Sequence, residues 1–285
     1  MSDDIIYALV FLLSLPLGAL LPSLRPGVRG GVAGAAGAAL TIAACGGWAL
    51  YSLCSVLLSY AVLRVAPRRL HGPLCFAGAF VCLGALRLFA TPPGPANAVQ
   101  LVATLRLASL GFDSADSTLQ AEGDPSLLLL LQYAFCYHGL FSGPFYRFVE
   151  WARVMRSPRS AVAPTADARA LAGRALLSAL ATLAVWRAVA AYLPYKYMTA
   201  DDGAWRSLPP LPRLAYFYLS SFQQRYRFYA CWSLLEAAGA LARFPSPANV
   251  DPIACETATS PSALIAGERP ALALDWFPIS GVSCT

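Results

Sequence analysis

The chain has 285 residues, of which 58% are hydrophobic and only 13% charged, with a formal charge of +6. Soluble domains carry about 25% charged residues, so this composition excludes an ordinary water-soluble fold. Its basic residues are arginines except for Lys196. They are scattered between apolar runs rather than set in a stripe, which excludes a nucleic-acid interface and fits short loops on the cytoplasmic face of a membrane.

Residues 5–21, reading IIYALVFLLSLPLGALL, carry no charge and suit a hydrocarbon core about 30 Å thick. The acidic start Met1-Ser2-Asp3-Asp4 lacks the positive N-region of a cleaved signal, so this run reads as a retained span. Further spans are predicted at 32–47, 48–65 and 73–90. They are divided by Gly46-Gly47, by Pro67 with Arg68 and Arg69, and by the turn Thr91-Pro92-Pro93-Gly94-Pro95. The stretch VAGAAGAAL at 32–40 is built of small residues that let helix backbones approach closely in lipid. Spans are also predicted at 170–193 and 226–243. Shorter apolar pieces at 98–112, 127–142 and 208–222 are open to reading as spans, half-spans or buried helices.

Arg25, Arg29, Arg64, Arg68 and Arg69 fall after the first and third spans. Positive charge stays cytosolic, so the N-terminus is expected in the lumen. The expected fold is therefore all-α, a polytopic transmembrane helix bundle of about 6–8 helices over residues 1–244. Within it, 144–156 (PFYRFVEWARVMR) gathers Phe145, Phe148, Val149, Ala152 and Met155 on one face and Arg147, Glu150, Arg153 and Arg156 on the other. That pattern predicts an amphipathic helix along the membrane interface, or else a packed surface helix. Residues 245–285 are proline-rich without a span-length apolar run, and little packed structure is expected there.

Polar groups inside apolar runs are the functional candidates, because hydrocarbon does not tolerate them. Asn97, Gln100 and Thr104 share one helical face, with Arg106 turned nearly opposite. They read as a cavity wall, or, for Asn97 after its proline turn, as a helix cap. His138 invites a general-base role because imidazole titrates near neutrality. No second histidine or acid adjoins it in sequence, which favours a hydrogen-bonded structural role. Arg225 and Arg227 are two apart and face roughly opposite ways on a helix. One reaches an anionic headgroup or coenzyme phosphate while the other snorkels, or both anchor the interface. Arg87, Arg174 and Arg187 lie near the ends of apolar runs, where snorkelling explains them. The eight cysteines form no C-x-x-C pair and there are only two histidines, His71 and His138. Neither a metal site nor a disulfide framework is expected. Hydrolase, zincin, Walker and dinucleotide motifs do not occur.

Several pieces, taken together in order and spacing, resemble the membrane-bound O-acyltransferase family in its lysophosphatidylinositol acyltransferase branch. They are Asn97-Ala98-Val99-Gln100-Leu101 with Thr104-Leu105 and Leu107, Cys136-Tyr137 with Gly139, Gly143-Pro144-Phe145 with Arg147, and Arg225 with Arg227-Phe228-Tyr229. The likeness covers about residues 1–244. It implies transfer of an acyl group, arachidonoyl by preference, from acyl-CoA to lysophosphatidylinositol in the endoplasmic reticulum membrane. Acyl-CoA serves as co-substrate, and no metal or other cofactor takes part. It also implies a base histidine in a Trp-His-Gly context and an asparagine in a Trp-Asn segment. Neither segment occurs in this sequence, so no catalytic residue is assigned. Asn97, Gln100, His138, Arg147, Arg225 and Arg227 are carried as substrate-binding candidates.

The leading expectation is a C-terminally truncated lysophospholipid O-acyltransferase, inactive alone, whose final residues have the texture of intron read-through or a shifted frame. Its partners would be membrane lipid, lysophospholipid and acyl-CoA. The alternative is a non-catalytic membrane scaffold or regulator derived from that family. A small transporter ranks last, because the halves show no internal repeat.

Overall fold

A computed structural model of the chain describes residues 3–115, 125–162, 164–194, 196–199, 204–244 and 251–260. Among the described residues every regular element is helical. Helix α1 spans Asp3–Leu20, α2 Pro26–Cys45, α3 Ala49–Val65, α4 His71–Phe89 and α5 Gly94–Ala115. After these come α6 (Leu127–Ala134), α7 (Phe148–Arg156), α8 (Arg159–Val162), α9 (Ala166–Tyr192), α10 (Lys196–Thr199), α11 (Ala204–Ser207), α12 (Pro210–Ala242) and α13 (Pro252–Thr257). Four stretches, Ile5–Ser23, Pro26–Val65, Arg68–Phe89 and Arg159–Tyr192, the last with α9 as its long helix, are by length and composition apolar enough to cross a membrane. The second holds α2 and α3, joined by a 3-10 turn at Gly46–Trp48 where Gly46 takes φ 56°. The chain is an all-α membrane helix bundle.

Its exterior is apolar, unlike that of a water-soluble protein, and its largely apolar interior also holds polar groups. Leu12, Leu50, Val81 and Leu180 point outward, while Ser52, Ser55, Gln100 and Thr104 are buried. Outside a bilayer those outward side chains would cost free energy in proportion to their exposed area. Against lipid they cost nothing, and the polar groups find partners inside.

Three of the shorter apolar pieces resolve differently. The piece at 98–112 is part of α5, a helix of 22 residues that folds back along α4. The Gly111 Cα lies so close to the His71 carbonyl and Cys75 that a Cβ would come within 2.7 Å of them. The piece at 208–222 and the span at 226–243 are one uninterrupted helix, α12, of 33 residues, about 50 Å long. The piece at 127–142 supplies only the eight residues of α6 before the backbone leaves the helix.

Helices α9 and α12 run antiparallel through a seam of Ala172, Ala175, Ala237 and Ala240, with the Ser178 and Ser233 hydroxyls 3.1 Å apart. Small side chains let the two axes approach closely, which is how helices associate where lipid gives no hydrophobic drive. Helix α1 lies along the other side of α12, Gly18 against the Ala238 carbonyl. The glycine stripe of α2 accommodates α6 and α7, with Gly34 under Gln132 and Gly30 under Trp151.

One end of the bundle is basic. Arg29 of α2 donates to the Val154 and Ser157 carbonyls (3.3 and 2.6 Å), where a cation complements the C-terminus of α7. Arg64 reaches the Pro125 carbonyl, and His71 brackets Ala66 and Ser114. The amphipathic segment 144–156 becomes helix only from Phe148. Phe148, Trp151, Ala152 and Met155 are buried in protein, so that face packs on the core rather than on lipid. Of the proline-rich 245–285, residues 251–260 are described and contain α13, capped by Asp251. The expectation for 245–250 and 261–285 lies outside the described residues.

Candidate functional site

The site is organised by what happens when α6 stops. From Phe135 to Arg147 the chain is non-helical, so its carbonyls lose their ladder partners. Inside a bundle each unmet carbonyl costs several kcal/mol. Arg106, on α5 and fully buried, meets them. Its Nη1 donates to the carbonyls of Tyr133, Ala134 and Cys136 (3.1, 3.1 and 3.2 Å). Its Nη2 donates to the His138 carbonyl (2.6 Å) and the Tyr146 hydroxyl (3.0 Å). The guanidinium also sits 4.9 Å from the Tyr146 ring centroid. Tyr146 Oη in turn donates to the His138 carbonyl at 2.9 Å, and Tyr133 Oη donates to the Tyr146 carbonyl at 2.9 Å.

Two backbone features complete the bend. The Tyr137 N–H donates to the Ala33 carbonyl of α2 at 3.1 Å. That approach is possible because residue 37 is glycine, where a Cβ would collide with the Phe135 carbonyl and come within 2.6 Å of the Tyr137 nitrogen. Gly139 and Gly143 take φ 72° and 89°, a region open to glycine at little cost. Gly143 N–H then closes onto the Gly139 carbonyl at 2.7 Å.

The turn so formed presents Phe141 through Phe145 to a cavity of about 450 Å³ between α1, α5 and α12. This is the size of a small-molecule site. Its wall is apolar: Tyr7 and Phe11 from α1, Leu101 and Leu105 from α5, Phe228 from α12. Trp232 closes one side, its indole N–H shared between the Ser142 carbonyl and hydroxyl at 3.0 Å each. Gln224 and Arg227 of α12 bring the long polar side chains of the lining. The arrangement suits an amphipathic ligand, with an apolar chain in the slot and an anionic group at the arginine.

The two arginines of α12 part as their spacing predicts. Arg227 lines the cavity. Arg225 turns away to Glu256 of α13, its Nε and Nη2 at 2.8 and 3.1 Å from the carboxylate oxygens. The wall expected from Asn97 and Gln100 is built instead by Ala98, Leu101, Val102 and Leu105 on the other face of α5. Asn97 accepts a hydrogen bond from Arg87 Nε at 2.9 Å. Gln100 is buried against α3, accepting from Ser52 at 2.9 Å and donating to Ser55 at 2.7 Å. Thr104 likewise faces α4, 3.4 Å from the Ala79 carbonyl.

Arg147 forms an ion pair with Asp113 at the end of α5, its Nε 3.0 and 3.3 Å from the two carboxylate oxygens. His138 is fully buried beside the cavity, not in it. Its Nε2 donates to the Leu235 carbonyl at 3.1 Å and its ring lies 4.6 Å from, and 8° off parallel to, the ring of Phe244. It ties the bend to α12. His71, the chain's other histidine, is held between Ser114 (2.8 Å) and the Ala66 carbonyl (2.9 Å). Neither lines the cavity.

Sequence reasoning missed Arg106 as the organiser of the bend. The signal was present: a lone arginine in an apolar run, opposite a polar face, must have a protein partner if lipid surrounds the helix. The partner could not be named, because backbone carbonyls carry no sequence signature.

Comparison with known proteins adds three findings. A family model described as MBOAT, membrane-bound O-acyltransferase family, matches residues 41–261, which include α13. The human protein named membrane-bound acylglycerophosphatidylinositol O-acyltransferase MBOAT7 is 30% identical over 260 residues, covering 84% of this chain and 54% of the relative. Its Xenopus laevis namesake is 28% identical over 268 residues, covering 85% and 54%. The chain spans about half the length of the curated relatives it matches.

Proposed function

Because the chain belongs to the membrane-bound O-acyltransferase family, we propose that it forms the substrate-holding part of a lysophospholipid O-acyltransferase. The reaction is transfer of an acyl group from acyl-CoA, arachidonoyl-CoA by preference, to lysophosphatidylinositol in the endoplasmic reticulum membrane. The free lysolipid hydroxyl attacks the thioester carbonyl, a C–O ester bond forms, the C–S bond breaks, and the hydroxyl proton ends on the coenzyme thiol. No cofactor takes part; acyl-CoA is a substrate.

The observation that carries this reading is the apolar slot between α1, α5 and α12 with Arg227 in its wall. A fatty chain fits the apolar length. The Arg227 guanidinium is the cation of the lining that suits a phosphate. Trp232, Ser142 and the Arg106 cluster hold the opposite wall still. With the wall held in advance, less free energy is lost on ordering when substrate enters.

The chemistry of proton removal is not assigned to these residues. Both histidines are held by backbone carbonyls away from the slot, which supports reading this chain as a substrate-binding part that does not itself supply the base. The same placement favours the second reading, a non-catalytic membrane scaffold or regulator derived from the family.

Binding and transfer are measured separately on the detergent-solubilised chain. Lysophosphatidylinositol is expected to bind, and Arg227→Gln to weaken it by about tenfold, the loss of one charge-assisted contact. Radiolabelled acyl transfer is expected to stay at background. Transfer that disappears on replacing His138 would overturn the assignment of that residue as structural. Unchanged lysolipid binding in Arg227→Gln would overturn the slot as the binding site. Co-purification of the non-binding chain with an active acyltransferase would support the scaffold.

A further inference from the structure

A second cavity, of about 530 Å³, lies at the basic end between α7, α8, α9 and the last turn of α12. Arg153, Arg174 and Arg243, from three separate elements, edge it, and Asp167 is its one carboxylate, leaving an excess of two positive charges (3 − 1). The floor is apolar, with Val162, Leu171 and Phe244. Among the described residues the Arg153 and Arg174 guanidiniums have no hydrogen bond or ion pair. Arg243 reaches across to the Thr165 hydroxyl, 3.3 Å away, at the N-cap of α9.

Arg243 carries a second, independent indication. Helix α12 ends in a Schellman turn, the Phe244 N–H on the Gly239 carbonyl (3.0 Å) and the Arg243 N–H on the Ala240 carbonyl (3.3 Å). Residue 243 takes φ 61°, the one non-glycine residue with positive φ among those described. Glycine is the residue that position favours. An arginine held there accepts backbone strain and places a guanidinium over the cavity. Such strain points to a functional demand.

We propose that this cavity binds the headgroup of an anionic membrane phospholipid, at a place separate from the slot between α1, α5 and α12. Three arginines from separate elements edge one cavity, and guanidiniums are the side chains that match phosphate oxygens. The apolar floor matches a glycerol backbone and the first acyl carbons, which free phosphate does not possess. The position also fits, because Arg29 and Arg159 lie at the same end. Arg174 sits eight residues into α9, about 12 Å along its axis, at headgroup depth for a helix entering the bilayer there. Basic pockets between membrane helices take up anionic headgroups on this chemistry. Nothing in the proposal rests on acyl transfer.

The test is native mass spectrometry of the full chain released from nanodiscs of phosphatidylcholine mixed with phosphatidylglycerol, an anionic lipid that is not the proposed acyl acceptor. Retained lipid is expected to be enriched in phosphatidylglycerol. Each of Arg243→Gly and Arg174→Gln should reduce that preference about fivefold, and inorganic phosphate should not displace the lipid. Arg243→Gly suits the test because glycine relieves the backbone at that position, so the helix end survives the change. Equal retention of the two lipids, or a preference unchanged in the double variant, would overturn the proposal. Complete displacement by inorganic phosphate would also overturn it, in favour of a soluble phosphate ligand.

Discussion

The bend at 135–147 and the α9–α12 pair solve the same problem of packing backbone in lipid by opposite means. The α9–α12 seam keeps every carbonyl in its own helical ladder, so alanines suffice between the axes. Its outer face is free to be leucine, with Leu177 and Leu180 68% and 62% exposed. The bend gives up that ladder and must import donors. It takes them from Arg106, Tyr133 and Tyr146, with no residue more than marginally exposed from Cys136 to Phe141. Non-helical backbone at such depth is tolerated where protein covers it or a cavity adjoins it. Here both conditions hold, and the cavity is the candidate substrate slot. The contrast teaches that a membrane protein concentrates its irregular, costly backbone where it does work.

Arg106→Leu should break this contrast most severely. It leaves four carbonyls and a tyrosine hydroxyl short of a donor, at a cost of about 3–5 kcal/mol. Loss of the monodisperse peak in detergent, or a collapsed melting temperature, is the expected outcome. Arg106→Lys should recover part of it, because an ammonium carries three donors against the four Nη hydrogens used here. Gly37→Ala comes next. Its Cβ must displace the Phe135 and Tyr137 backbone, costing about 1–3 kcal/mol, while Gly173→Ala, with open space around it, should cost nothing measurable. Asp113→Asn loosens the half-buried ion pair to Arg147, whose side chain is 34% exposed. About 1 kcal/mol is expected, shrinking with added salt. A double-mutant cycle with Arg147→Gln separates the pair from the Arg147–Glu150 capping contact. Leu180→Ala, on the lipid face of α9, should fall within about 0.5 kcal/mol of the parent. A large loss there would mean that the face is covered by something other than lipid.

Much of the bundle was legible in the sequence, and the reasons can be given residue by residue. Charge-free runs such as 5–21 declare a span by composition alone, and proline and glycine punctuation cut α3 from α4 and α4 from α5 at the right places. The opposite facing of Arg225 and Arg227 follows from 100° per residue and needs no tertiary information. The small residues at 32–40 announced close packing, but only the structure names α6 and the bend as what they receive. Two features were hidden. Helical periodicity shows that Asn97, Gln100 and Thr104 share a face; it does not show whether that face meets a cavity or the serines of α3. In a bundle with lipid outside, polar side chains glue helices as readily as they line cavities. Gly139, Gly143 and Pro144 imply a bend before the amphipathic segment, but its start, where α6 ends at Ala134, was hidden, because apolar residues continue past it. The helix stops where Arg106 offers its carbonyls other donors, and that partner lies 28 residues away in sequence.

On the proposed function, an acyl chain lies in the slot between α1, α5 and α12, beneath Arg227. Lysophosphatidylinositol carrying a photoreactive group on its acyl chain, cross-linked to the purified protein and mapped by peptide mass spectrometry, tests it directly. Adducts on Leu101, Phe141 and Phe228, suppressed by excess unlabelled lysolipid, are the expected result. Adducts confined to Leu177, Leu180 and the other outward residues of α9, or adducts that unlabelled lysolipid does not suppress, would contradict a substrate held in that slot.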